Sequence, residues 1–168
     1  MCSFVAFLLM LSSQVNADIV ASVGLGKSAF AGAQGTPFER AASLGYAHTF
    51  SNGLFLRPEA GWFIDNSGHG VSSPWLAPLV GVRSQSTVGP TLHFAMGPGY
   101  LHNPDSVLGG HFQFSLEGGA SLVDRNFGIG VVWKHLSSAG IHMPNRGRDF
   151  IALQVHVPIG NTRKAEER

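Results

Sequence analysis

The chain has 168 residues, a formal net charge of +1, 12% charged residues, 22 glycines and one cysteine. A near-neutral chain offers no electrostatic case for nucleic acid, and a single thiol excludes a disulfide framework or a cysteine-based metal site. So few charges beside so much glycine, where a soluble domain carries about a quarter charged residues, suit a membrane β-barrel better than a cytosolic globule.

Residues 1–17 read as a secretory leader: a short apolar core ending in the small-x-small site Val15-Asn16-Ala17. No Lys or Arg precedes that core, a departure from the usual pattern, and the core is too short to cross a bilayer as a helix. Cleavage there would also remove Cys2, so no thiol chemistry is expected of the mature protein. The barrel is expected over 18–159, followed by a polar, disordered tail over 160–168.

Between leader and tail the sequence alternates with a period of two in eight segments. The first, 18–28, sets Ile19, Ala21, Val23 and Leu25 against Ser22, Gly24 and Gly26. The second, 38–50, sets Ala42, Leu44, Tyr46 and Phe50 against Ser43, Gly45 and Thr49, and Ser51-Asn52-Gly53 after it is a tight hairpin signal. The third, 54–64, puts Leu54, Leu56, Ala60, Trp62 and Ile64 opposite Arg57 and Glu59. The fourth, 75–85, has the least regular alternation, with Leu76, Val80 and Val82 on one side. The fifth (91–102) and sixth (111–122) alternate Leu92, Phe94, Met96, Tyr100 and Phe112, Phe114, Leu116, Ala120 with small or polar residues. The seventh, 127–137, carries Phe127, Ile129, Val131 and Trp133; the eighth, 149–159, carries Ile151, Leu153, Val155, Val157 and Ile159.

Connections after the even segments are short and those after the odd ones longer. Together with an even strand count, this predicts an all-β fold, an eight-stranded antiparallel up-and-down transmembrane β-barrel with both ends in the periplasm. The non-apolar face, Gly with Arg57, Glu59, Glu117, Lys134, Gln154 and His156, is too small to be a water-facing skin. It fits the filled interior of an eight-strand barrel. The inverse arrangement, a soluble ligand-binding barrel with its apolar face inward, is the alternative. Trp62, Trp75, Trp133 and Tyr100 read as interface-belt aromatics.

Continuing the parity of the last two segments puts His135, Ser137 and Asp149 on the apolar, outward face near their connecting loop. Residues i and i+2 of a strand stand about 6.5–7 Å apart on one face, a span an imidazole can bridge to a hydroxyl. Asp149, beginning the next strand, can reach the other ring nitrogen. A base, a nucleophile and an acid so arranged would form a hydrolytic triad, and a site at a lipid boundary suits an ester that lives there. Taken one at a time, His and Ser at a strand end are ordinary rim residues. The remaining histidines (His48, His69, His93, His102, His111, His156) lack metal-ligand spacing, and no cofactor is expected.

The run His135-Leu-Ser137-Ser-Ala139-Gly140, then Pro144-Asn145-Arg-Gly147-Arg-Asp149, resembles the signature of the lipid A 3-O-deacylase (PagL) family, His-x-Ser-Asn-Ala-Gly followed by Pro-Asn-x-Gly-x-Glu. The closing Val157-Pro158-Ile159 is similar too. The resemblance covers 127–159 well and the rest only as an eight-strand plan. It implies hydrolysis of the ester-linked 3-hydroxyacyl chain at position 3 of lipid A in the bacterial outer membrane, with lipopolysaccharide as the partner. It also implies Ser137 as nucleophile, His135 as base and Asp149 as the acid, on the outside of the barrel. Two positions depart from the signature: Asp149 stands where it has Glu, and Ser138 where it has Asn. Asn145 and the backbone N–H groups of Ala139 and Gly140 are then the candidate oxyanion donors. Arg146 and Arg148, in the same loop, are either guanidinium partners for the lipid A phosphates or ordinary loop cations at the headgroup level; His142 has no assigned role. A non-catalytic structural or adhesion barrel derived from the family is the competing reading, and the sequence leaves open whether the barrel forms a homodimer.

Overall fold

The computed structural model describes residues 16–28, 39–64, 72–86, 88–104, 108–143 and 147–159. These form eight strands: β1 (Asn16–Ser28), β2 (Glu39–Thr49), β3 (Leu54–Ile64), β4 (Ser73–Arg83), β5 (Gly89–Leu101), β6 (Phe112–Val123), β7 (Gly128–Ser137) and β8 (Arg148–Ile159). Each pairs antiparallel with its sequence neighbour, and β1 also pairs with β8. The sheet closes on itself and leaves no edge. Residues 1–15 of the expected leader and the tail lie outside the described residues, whereas Asn16 and Ala17, assigned to the leader, stand in β1 opposite Thr49 and His48.

The period-two pattern produces the two faces directly. On β3, Leu56, Trp62 and Ile64 are exposed, while Phe55, Arg57, Glu59 and Phe63, of the opposite parity, are buried. The same holds round the wall: Val23, Leu92 and Leu122 are 61%, 67% and 65% exposed, whereas Glu117 and Gln154 are 0%. Apolar side chains therefore form the outer skin and polar ones the filling, as the sequence predicts for a barrel solvated by lipid. The soluble alternative requires the opposite assignment of faces.

The interior is layered along the barrel axis. Toward the end bearing the long loops, Phe63, Trp75, Leu101, Leu108, Leu136 and Phe150 form an apolar plug. Midway, Arg57 meets Glu59 and Glu117 at 3.2 and 2.5 Å, and Lys134 meets the same two carboxylates at 2.6 and 3.3 Å. His93 adds a contact to Glu117 at 3.0 Å. Toward the short-turn end Arg83 pairs with Asp18 at 2.7 Å. Two cations facing two carboxylates neutralise one another where water is excluded, although Arg57 Nε and Glu59 Oε2 make no hydrogen bond.

The structure corrects two expectations here. Trp75 is no belt residue: it is buried inside, stacked on Phe63 with ring centroids 6.3 Å apart. Leu76 faces out, so the alternation turns its neighbour in. Strand β4 also begins at Ser73 rather than 75, because Pro74 lies within the ladder opposite Trp62 and its carbonyl accepts from the His102 amide at 3.0 Å. The first short turn is as predicted in kind. Gly53 has φ +82°, the Gly53 amide donates to the Phe50 carbonyl, and Asn52 Oδ1 accepts from the Leu54 amide.

Candidate active site

Strand β7 alternates Gly, Gly, Val132, Lys134 and Leu136 inward with Ile129, Val131, Trp133, His135 and Ser137 outward. On β8, Phe150 is buried and Ile151 is 57% exposed, so Asp149 belongs to the outward set. The ladder register places His135 directly opposite Asp149. Facing residues of an antiparallel pair have Cβ atoms about 5 Å apart, close enough for an aspartate to reach an imidazole. His135 Nδ1 lies 2.9 Å from Asp149 Oδ1. An Nδ1–H donated to the carboxylate leaves Nε2 as the basic nitrogen.

Trp133 joins this pair. Its indole Nε1–H donates to the same Asp149 Oδ1 at 3.0 Å, and its ring stacks on His135 at 5.9 Å between centroids and 23° between planes. The sequence marked Trp133 only as a belt aromatic. The usable signal was its position two residues before His135 on the same face, which puts it diagonal to Asp149 once the register is known.

Ser137 follows on the same outward face, opposite Phe114 of β6. Among the described residues no hydrogen bond joins its hydroxyl to the imidazole. Beyond it the chain turns sharply: the Ile141 amide donates to the Ser138 carbonyl at 2.9 Å, with φ of 50° at Ala139 and 83° at Gly140. Positive φ at both central residues is the type I′ pattern. Ser138 itself is buried and its hydroxyl donates to the His142 carbonyl at 3.0 Å, fastening the turn. Ala139 and Gly140 are exposed at the tip, followed by the exposed apolar side chains Ile141 and Met143. The ring of His142 packs against Gly110 in the neighbouring loop.

At the Cε1–Nε2 edge of the imidazole, Gly147 has φ +63°, and a Cβ there would stand 2.7 Å from His135 Cε1 and 3.3 Å from Nε2. Only glycine combines that backbone angle with that closeness to the ring. Arg148, expected at lipid phosphates or the headgroup level, is turned the other way. It is fully buried, its Nε 3.0 Å from Glu39 and its guanidinium 4.3 Å over the Phe63 ring. The reason is parity: β8 begins at Arg148, one residue earlier than read, so a residue next to outward Asp149 must face inward. Asn145 and Arg146 lie outside the described residues.

Among the described residues no three His, Cys, Asp or Glu side chains cluster as a metal site needs. A depression of about 660 Å³ on the outer wall, lined by Ala21, Ala42, Ala60, Trp62, Leu76 and Tyr100 among others, lies on β1–β5, apart from His135 and Asp149.

Comparison with known proteins completes the description. The outer membrane enzyme PagL has a similar fold, with a TM-score of 0.59 at 24% identity over 84% of this chain and 99% of that one. A de novo designed transmembrane β-barrel gives 0.59 at 16% identity over 86% and 95%. The N-terminal β-barrel domain of Pseudomonas aeruginosa OprF gives 0.57 at 15% over 87% and 100%. At such identities the likeness is one of fold. The sequence has no significant match among curated proteins. The family model, by contrast, matches residues 40–158, from the second strand through the last. The chain belongs to the lipid A 3-O-deacylase (PagL) family.

Proposed function

We propose that the protein is an outer-membrane esterase that removes the ester-linked 3-hydroxyacyl chain at position 3 of lipid A. The observation that carries this reading is the outward His135–Asp149 pair, 2.9 Å apart, on a barrel whose outer face is apolar and whose sequence belongs to this family. Ser137 Oγ attacks the ester carbonyl while His135 Nε2 takes its proton. The tetrahedral oxyanion collapses, the sugar oxygen leaves with the proton from His135, and the acyl group remains on Ser137. Water, deprotonated by His135 in turn, releases the 3-hydroxy acid and restores the serine. Asp149 holds the ring in the tautomer that leaves Nε2 free and supports the imidazolium. The Ala139 and Gly140 amides, in the turn just after Ser137, are the candidate oxyanion donors among the described residues. No cofactor takes part in this scheme.

The test is mass spectrometry of lipid A from cells making the wild-type chain or Ser137→Ala, with the purified proteins assayed on lipopolysaccharide. Loss of one 3-hydroxyacyl mass with wild type, and none with Ser137→Ala, is expected. Identical spectra would reject the reading. Two observations favour a second reading, a non-catalytic barrel of the same family: Ser138 is buried, closing the loop, and Ser137 makes no hydrogen bond to His135 among the described residues. Under it, a serine-reactive phosphonate leaves Ser137 unlabelled; under the first, it labels that residue and no label appears in His135→Ala.

A further inference from the structure

Asp149 is an exposed kind of acid for the role given to it. Its side chain is 36% open, against 23% for His135, on a short side chain at the start of a strand. A carboxylate held by a single donor can turn about its last bond and offer its oxygens to water. Here Oδ1 accepts from two donors at once, His135 Nδ1 at 2.9 Å and Trp133 Nε1 at 3.0 Å. The two donor rings lie nearly parallel, 23° apart, so each fixes the plane of the other. An indole N–H is a donor only, and toward lipid it needs an acceptor.

We infer that Trp133 is a positioning residue for the hydrolytic centre. Its N–H locks the Asp149 carboxylate against rotation, and its ring holds the His135 imidazole in the orientation that keeps Nδ1 on Asp149. Trp133 does not touch the ester; it acts through Asp149. This rests on the esterase reading, and the two can fail separately.

Trp133→Phe keeps an aromatic ring at the position and removes only the N–H. With purified protein and lipopolysaccharide in detergent, kcat is expected to fall about ten- to a hundredfold, the worth of a hydrogen bond to a charged group, with KM little changed. In an Asp149→Ala background the same substitution should cause no further loss, because nothing remains for the N–H to hold. A membrane anchor would instead act alike in both backgrounds. Equal losses in the two backgrounds, or no loss in either, overturn the inference while leaving the esterase reading standing. If wild type releases no acyl chain, the esterase reading falls and the inference with it. A measurement that leaves position 133 untouched guards against misfolding: the indole N–H proton resonance of Trp133 should move upfield in Asp149→Ala. A resonance that stays in place would count against the lock however the kinetics turn out.

Discussion

The barrel carries two groups of charged and aromatic side chains, one on each side of its wall, and they are built on different terms. Inside, Arg57, Lys134, Glu59 and Glu117 bond one another in a closed circuit, with His93 as a fifth member. The carboxylates meet cations on more than one side, and the group is almost wholly buried. Outside, His135, Asp149 and Trp133 form an open chain: the imidazole engages Asp149 through Nδ1, and Nε2 makes no hydrogen bond among the described residues. A closed circuit of buried charges is costly to break, because removing one member strands the others. An open one, partly exposed, retains a base.

This contrast can be broken at its strongest point by Asp149→Asn. The amide removes the charge that supports the imidazolium, and kcat should fall by about four orders of magnitude, the effect known for such a change in a hydrolytic triad. The barrel should stay as stable as wild type by urea unfolding in detergent. A fall in stability with unchanged activity would reverse the roles assigned to the two groups.

Glu117→Leu should act in the opposite sense. It leaves Arg57, Lys134 and His93 short of an acceptor, and breaking a buried ionic group costs about 3–5 kcal/mol. The urea midpoint should drop clearly, while the folded fraction keeps its kcat. Gly147→Ala sharpens the comparison at the imidazole itself, because the added methyl would meet His135 Cε1 at 2.7 Å. The ring must shift by a fraction of an ångström or more, and a displacement of that order lowers kcat by up to about a hundredfold. Ala139→Gly should be the mildest. It removes the positive φ of 50° from a residue with a side chain and should stabilise the loop by about 1 kcal/mol, seen as a small rise in the urea midpoint.

Much of this is legible in the sequence. Eight segments of period two, the Ser51-Asn52-Gly53 turn and the alternation of short and long connections defined the barrel. Parity alone put His135, Ser137 and Asp149 on one face. Arg148 was misread for a local reason. Segment spacing ends the loop at Arg148, whereas the strand's one additional residue turns it inward onto Glu39 and Phe63. Trp75 was misread for a different one: tryptophan was given a belt role by type, although Leu76 beside it already pointed out.

Which side of a strand a residue occupies is a property of the chain's own pleat, so spacing along the sequence determines it. Which residue stands across from it is set by ladder hydrogen bonds between separate strands and by the closure of β1 on β8, and no local spacing contains that. The sequence by itself therefore determined the barrel, its apolar skin and the face that bears the candidate centre. Only the tertiary structure decided that Asp149 stands opposite His135, and that Trp133, one diagonal step away, shares its oxygen.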